Sequence, residues 1–216
     1  MAYFRWFSKT RSVFRVPAVR SRRVAREYLL FIACFSRYNT SVEYLDVLDD
    51  TGIPTGEIKS RPAVHRDGDL HRAVHVWIVN DRNEVLIQKR SSVIDVFPNL
   101  WDISLAGHVQ SGEGSGAAVR RELKEELGIT VEEGDLQPVG TVALHLRDRE
   151  KFDNQLCDLF VLRRTIDPEQ IKKQKQEVAE VTLVFLDDLK KLVREEPERF
   201  VPRTEEFEKL FALLSS

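Results

Sequence analysis

The chain has 216 residues, 42% of them apolar and 31% charged, with a formal net charge of −2. That is enough for one domain with its own core, and the near-neutral balance argues against nucleic acid or an anionic membrane as a bulk electrostatic partner. Cys34 and Cys157 stand outside any metal-binding spacing, so a disulfide framework or structural zinc site is excluded, and the longest apolar run, Tyr28 to Phe35, is too short to span a bilayer.

Residues 1 to 40 carry nine Arg or Lys against one acid, Glu27. This basic, serine-containing start resembles an organelle transit segment. Residues 1–41 are therefore read as an N-terminal extension addressed to a mitochondrion or chloroplast, the alternative being a cytoplasmic protein. Residues 42–216 are read as the folded domain. Tyr44 to Leu48 reads as a strand, and Arg61 to Asp69 as a polar segment ending in an Asp67-Gly68 turn. Ala73 to Val79 is a strong strand with a hairpin partner at Val85 to Gln88. Trp101 to Leu105 is a further short strand.

Gly112, Gly114 and Gly116 form a loop before a predicted helix over Ala117 to Leu127, which Gly128 closes. Strands follow at Val139 to Leu146, Leu156 to Leu162 and Val181 to Leu186, with a helix opening over Asp187 to Arg194. Phe207, Leu210, Phe211 and Leu214 fall at i, i+3, i+4 and i+7, the buried stripe of a closing helix. Mixed strands around one central helix point to an α+β sandwich.

The chemistry is concentrated in Gly107 to Ile129. Glu122, Glu125 and Glu126 lie at i, i+3 and i+4, which places three carboxylates on one helix face. Such a face is commonly just solvated surface. A hard divalent cation is the other way to hold three like charges together, because magnesium prefers oxygen ligands. Its surroundings decide between these. Gly107, Glu113, Arg121-Glu122-Leu123, Glu125-Glu126, Gly128 and Ile129 match the Nudix box, G-x5-E-x7-R-E-U-x-E-E-x-G-U, at every defined position.

The chain thus resembles the Nudix hydrolases. The resemblance implies a Nudix α/β/α sandwich with a mixed sheet and a loop–helix–loop catalytic motif. It implies Glu122, Glu125, Glu126 and the Gly107 carbonyl as magnesium ligands, with manganese as a substitute. Glu122 would also polarise the attacking water, Arg121 would orient Glu122, and Glu113 would brace the loop. Glu177 resembles the late acid that many members use as a ligand or base. Arg90 and Trp101 are the substrate-binding candidates. The implied reaction is cleavage of a diphosphate linkage in a nucleoside diphosphate derivative or related small diphosphate.

A longer resemblance, carried by HRDGDLHRAVHVWI, LIQKRS, FPNLWDIS and AGHV, runs to type I isopentenyl diphosphate isomerase and its hydrolase relatives. The isomerases move a proton with a cysteine before the Gly-His of the box and a glutamate in an N-E-x-C strand. Here those positions read Ala106 and Gln155, and neither side chain can do that chemistry. Hydrolysis is the expectation, with an isomerase-like enzyme or a non-catalytic binding module as alternatives. His65, His71 and His108 correspond to metal-binding histidines of the isomerases. With Gln155 in place of glutamate that second site is read as incomplete, and the three are expected to make ordinary hydrogen bonds. His75, Trp77 and Trp101 are read mainly as packing residues, with Trp101 beside the loop as the one that could line the pocket.

Overall fold

Strand β3 (His71–Val79) organises the architecture, because its side chains are buried on both faces. In the computed structural model, which describes residues 42–215, Val74, Val76 and Ile78 enter one core while Trp77 and Val79 enter another. A strand buried on both sides needs a layer on each. The expected transit segment lies outside the described residues.

Ahead of β3 stand an antiparallel hairpin, β1 (Tyr44–Leu48) and β2 (Pro54–Ser60), and a short helix, α1 (Arg61–Asp67). That helix corrects the reading of 61–69 as an irregular polar segment. Pro62 fits its first turn, where a missing N–H costs nothing, and Gly68 closes it at φ 76° with its N–H on the Val64 carbonyl. Val64 and His65 are its buried residues, too few to show as a periodic stripe.

After β3 come β4 (Glu84–Arg90), β5 (Trp101–Asp102), β6 (Leu105–His108) and helix α2 (Ser115–Glu126). The long hairpin β7 (Leu136–Asp148) and β8 (Lys151–Arg163) follows, then β9 (Val178–Phe185), α3 (Leu186–Glu195) and α4 (Thr204–Leu214). The large sheet has seven strands. It is mixed: β3 pairs in parallel with β8, and its other contacts are antiparallel.

On its edge away from β8, β3 is shared. Ile78 and Val79 pair with β4, whereas Ala73 to Val76 pair with β6. The sheet therefore forks along this edge. Ser104 sits at the fork, accepting the Ile78 N–H at 2.8 Å and donating to the Leu86 carbonyl at 2.5 Å. This also explains why the expected strand 101–105 is two short ones, since its middle bridges two strands through a side chain.

One layer is α2, whose Ala118, Val119 and Leu123 pack on Val74, Val76 and Ile78. The other is α3 with α4, where Leu189, Phe207, Leu210 and Phe211 cover Trp77 and Val79. These layers give an α+β fold of the sandwich type. A buried polar network fastens α4 to the sheet. Glu206 accepts from Trp77 Nε1 at 2.9 Å and from His75 Nδ1 at 2.8 Å. Arg203 lies 3.2 Å from His75 Nε2 and forks onto Asp102, with its Nε at 2.8 Å and Nη2 at 3.3 Å. Arg90 Nη1 donates to the same Asp102 carboxylate at 3.1 Å.

Asp102 is fully buried. Burial pushes its carboxyl up, but the guanidiniums of Arg203 and then Arg90 outweigh it and hold the group below the ordinary range. A depressed folded pKa stabilises the fold above the unfolded value of about 3.9 and loses that contribution as pH falls through the folded value. Asp102→Asn leaves two buried guanidiniums against a neutral amide, an expected loss of about 3–5 kcal/mol. Urea unfolding at pH 7 checks the loss, and the acid limb below about pH 4 should become shallower in the variant.

Candidate active site

The Nudix-box residues fold as the end of β6, a loop over 109–114, and α2. Ser111 ties the loop to β1, donating its hydroxyl to Asp46 at 2.7 Å. Ser115 anchors the start of α2 on Asp158 of β8 at 2.6 Å. With both ends fixed, α2 buries its apolar stripe and turns Glu122 and Glu126 toward a cavity of about 80 Å³. Both acids are only 6% exposed, while Glu125 stands at the rim.

Arg121 holds this arrangement together. Its Nε and Nη2 donate to Glu113 at 3.0 and 2.7 Å, its Nη1 lies 2.8 Å from Glu122 Oε1, and Nη2 also donates to the His108 carbonyl at 3.0 Å. Glu113 in turn accepts the Gln110 N–H at 3.1 Å, closing the loop on itself. Glu113, expected to brace the loop, and Arg121, expected to orient Glu122, are thus bonded to each other, and Arg121 also to Glu122.

Gly107 carries a steric demand. A Cβ there would fall 2.4 Å from Glu122 Cγ and 2.7 Å from Cδ. The missing side chain makes room for the Glu122 carboxylate itself, rather than only for an ion. Glu177, from the turn before β9, lines the same cavity. Gln174 of that turn bonds the Glu126 carbonyl through its N–H at 2.8 Å, which brings the late acid to the box.

Burial pushes the Glu122 carboxyl up to about 7, although Arg121 opposes this. Burial, then Glu122 and Glu177, hold Glu126 well above its ordinary range. Two buried acids that repel each other, with half-buried Glu177 beside them, are a poor arrangement for protein alone and a good one for a cation.

The histidines assemble a second group beside the first. Parallel pairing sets His71 opposite Gln155, and antiparallel pairing sets Ala73 opposite His108. Alternation on β8 buries Asp153 and Gln155 alike, and α1 supplies His65. The rings of His65, His71 and His108 lie with centroids 5.3–5.4 Å apart. Asp153 Oδ1 is 3.7 Å from His65 Nε2 and 3.9 Å from His71 Nε2.

This corrects the reading of the three histidines as ordinary hydrogen-bonding residues. Both nitrogens of His65, Nε2 of His71, Nε2 of His108 and Oδ1 of Asp153 are buried without a hydrogen-bond partner. One ligand atom from each residue falls within 4.8 Å of the others. Burial lowers His65 to about 4, and also lowers His71 and His108, so all three rings are neutral with lone pairs free. His71 Nδ1 lies 3.1 Å from the Asp69 carbonyl, which fixes the tautomer that leaves Nε2 as a ligand. Buried polar atoms with no partner and a common focus suit a metal ion.

Two expected substrate contacts fare differently. Trp101 does not line the cavity. Its half-buried ring packs on the α3–α4 core, with Lys89 Nζ 6.0 Å from its centroid. Arg90 does line it, yet each of its side-chain nitrogens already donates, two to the Val96 carbonyl and one to Asp102. Arg61, which sequence reading passed over, also lines the cavity; its guanidinium donates to Glu43 at 3.1 Å. Asp153 was passed over as well. The signal for it was its place two residues before Gln155 on an alternating strand. Ala106 and Gln155 both line the cavity.

Comparison with known proteins agrees with this geometry. The family model for the NUDIX domain matches residues 69–204, more than half of the chain. Nudix hydrolase 3 of Arabidopsis thaliana is 36% identical over 179 residues, covering 80% of this chain but 23% of that much longer protein. An isopentenyl-diphosphate Delta-isomerase of Escherichia coli is 30% identical over 149 residues, 58% of this chain and 82% of that one. A Deinococcus radiodurans crystal structure superposes with a TM-score of 0.61 at 22% identity, over 80% of this chain and 98% of that chain, which establishes the shared fold. With an intact box, the matching domain and these relatives, the chain belongs to the Nudix hydrolase family.

Proposed function

We propose that the protein is a magnesium-dependent hydrolase that cleaves the diphosphate linkage of a small molecule, such as a nucleoside diphosphate derivative. The observation that carries this is the convergence of Glu122, Glu126 and Glu177 with Gly107 on one cavity wall. The mutual repulsion of the buried acids fits a hard cation. Glu122, Glu125, Glu126 and the Gly107 carbonyl would hold magnesium, with manganese as a substitute. Bound there, the ion would draw charge from the phosphate oxygens and favour ionisation of the attacking water.

The protein's own groups do the rest. Glu122, paired with Arg121, would take a proton from water. Glu177 offers a second acceptor facing the same space. Arg61 has donors beyond the one spent on Glu43 and is the cation suited to grip a phosphate oxygen. The His65, His71, His108 and Asp153 group would take a second divalent ion of the kind that imidazole favours, such as iron, nickel or zinc. Ala106 and Gln155 stand where isomerisation would need groups able to pass a proton, so hydrolysis is the reading the site favours.

Removing Glu126 separates chemistry from folding. Glu126→Gln is expected to lower kcat/KM by roughly 1,000-fold, about 4 kcal/mol of transition-state stabilisation, while the metal-free protein melts no lower than the parent. Phosphate release from a panel of diphosphates gives the rate, and scanning calorimetry the melting. EDTA should abolish turnover and magnesium restore it. Formation of an allylic product from isopentenyl diphosphate would reject the hydrolytic reading. The histidine group is checked by cobalt titration. Visible absorption bands of imidazole-ligated cobalt should appear in the parent and vanish in His71→Ala, with the Glu126→Gln spectrum unchanged.

A further inference from the structure

The tip of the β7–β8 hairpin touches the cavity wall through a segment that the proposed mechanism leaves without a part. Residues 91–100 connect β4 to β5, and Ile94 and Val96 within them line the cavity. Phe97, next to Val96, has a φ of 51°, a left-handed conformation that a bulky L-residue rarely adopts. Such a conformation persists only when its surroundings impose it.

Asp148, the last residue of β7, imposes it here. Its Oδ2 accepts the Phe97 N–H at 2.7 Å. Lys151, the first residue of β8, bonds Asp95 at 2.8 Å, so the hairpin tip grips the segment at two points. Between them lies Val96, whose carbonyl accepts both Nε and Nη2 of Arg90, at 3.1 and 3.0 Å. With Asp102 on its Nη1 side, the Arg90 fork is held from both ends. Arg90 lines the cavity together with Glu126 and His108.

We propose that Asp148 is a positioning residue for Arg90, acting through the left-handed Phe97 turn to aim the Val96 carbonyl at the Arg90 guanidinium in the cavity wall. Asp148 is not itself one of the residues that line the cavity. This inference rests on the cavity being a diphosphate site. Without the carboxylate, Phe97 relaxes toward ordinary backbone angles, the Val96 carbonyl rotates away, and the Arg90 charge is no longer held at one place.

The test uses methylenediphosphonate, a diphosphate mimic that is not cleaved, with magnesium and the full chain, read by calorimetry. Asp148→Ala is expected to weaken binding about tenfold, near 1.4 kcal/mol. Asp148→Asn keeps an acceptor for the Phe97 N–H and should stay within about twofold of the parent. In an Arg90→Lys background, where the forked contact to Val96 is already lost, Asp148→Ala should change affinity less than about twofold. In turnover, KM should rise in Asp148→Ala with kcat within about twofold, the mark of lost binding rather than lost chemistry.

Unchanged binding in Asp148→Ala, or effects of the two substitutions that simply add, would overturn the proposal while leaving the hydrolytic reading intact. A parent protein that does not bind the mimic would instead remove the reading of the cavity, and this inference with it. Thermal melting of each variant separates a displaced guanidinium from an unfolded chain.

Discussion

Like charge kept away from water is the constraint around which this domain is built. Glu122 and Glu126 share one face of α2, each almost wholly buried, and Glu177 reaches the same space from another part of the chain. Protein alone offers them little relief. Arg121 answers part of the charge and is itself held by Glu113. The loop before α2 is braced on β1, and the helix start on β8, so the carboxylates cannot swing apart to solvent. The demand at Gly107 follows from the same crowding, since the Glu122 side chain occupies the room a Cβ would need.

What could be read from the sequence was what is local. Three acids at i, i+3 and i+4 lie together on any helix, and Gly128 with φ 69° ends this one where its position suggested. The stripe at Phe207, Leu210, Phe211 and Leu214 is likewise contained in one element, and all four are buried. The histidine group was not legible in this way. It joins α1, β3, β6 and β8, and only the parallel register of His71 on Gln155 brings Asp153 within reach. Trp101 misled for the converse reason. It is close to the box in sequence, yet β5 hands its ring to the α3–α4 core.

Carboxylates and imidazoles, two side-chain groups of different character, thus line one cavity. Carboxylates on α2 favour a hard ion, whereas neutral imidazoles on the sheet favour a softer one. Ala106 and Gln155 line the same cavity, and neither side chain is an acid or a base. The relationship to an isomerase at 30% identity and to a Nudix hydrolase at 36% is consistent with one scaffold serving both chemistries.

The forked edge of β3 has a consequence for how such a domain can diversify. β4 and β6 divide that edge, with Ser104 closing the junction, and the connection over 91–100 meets the ladders at its ends, where the Ser91 N–H bonds the Glu177 carbonyl and the Leu100 carbonyl accepts the Arg90 N–H. Lengthening or recolouring that connection would reshape one side of the cavity while the ladder and the carboxylate helix stay in register. Selectivity and reactivity are therefore separable inheritances here: a lineage could trade one cargo for another by editing those ten residues, without reopening the part of the fold where its charges are confined.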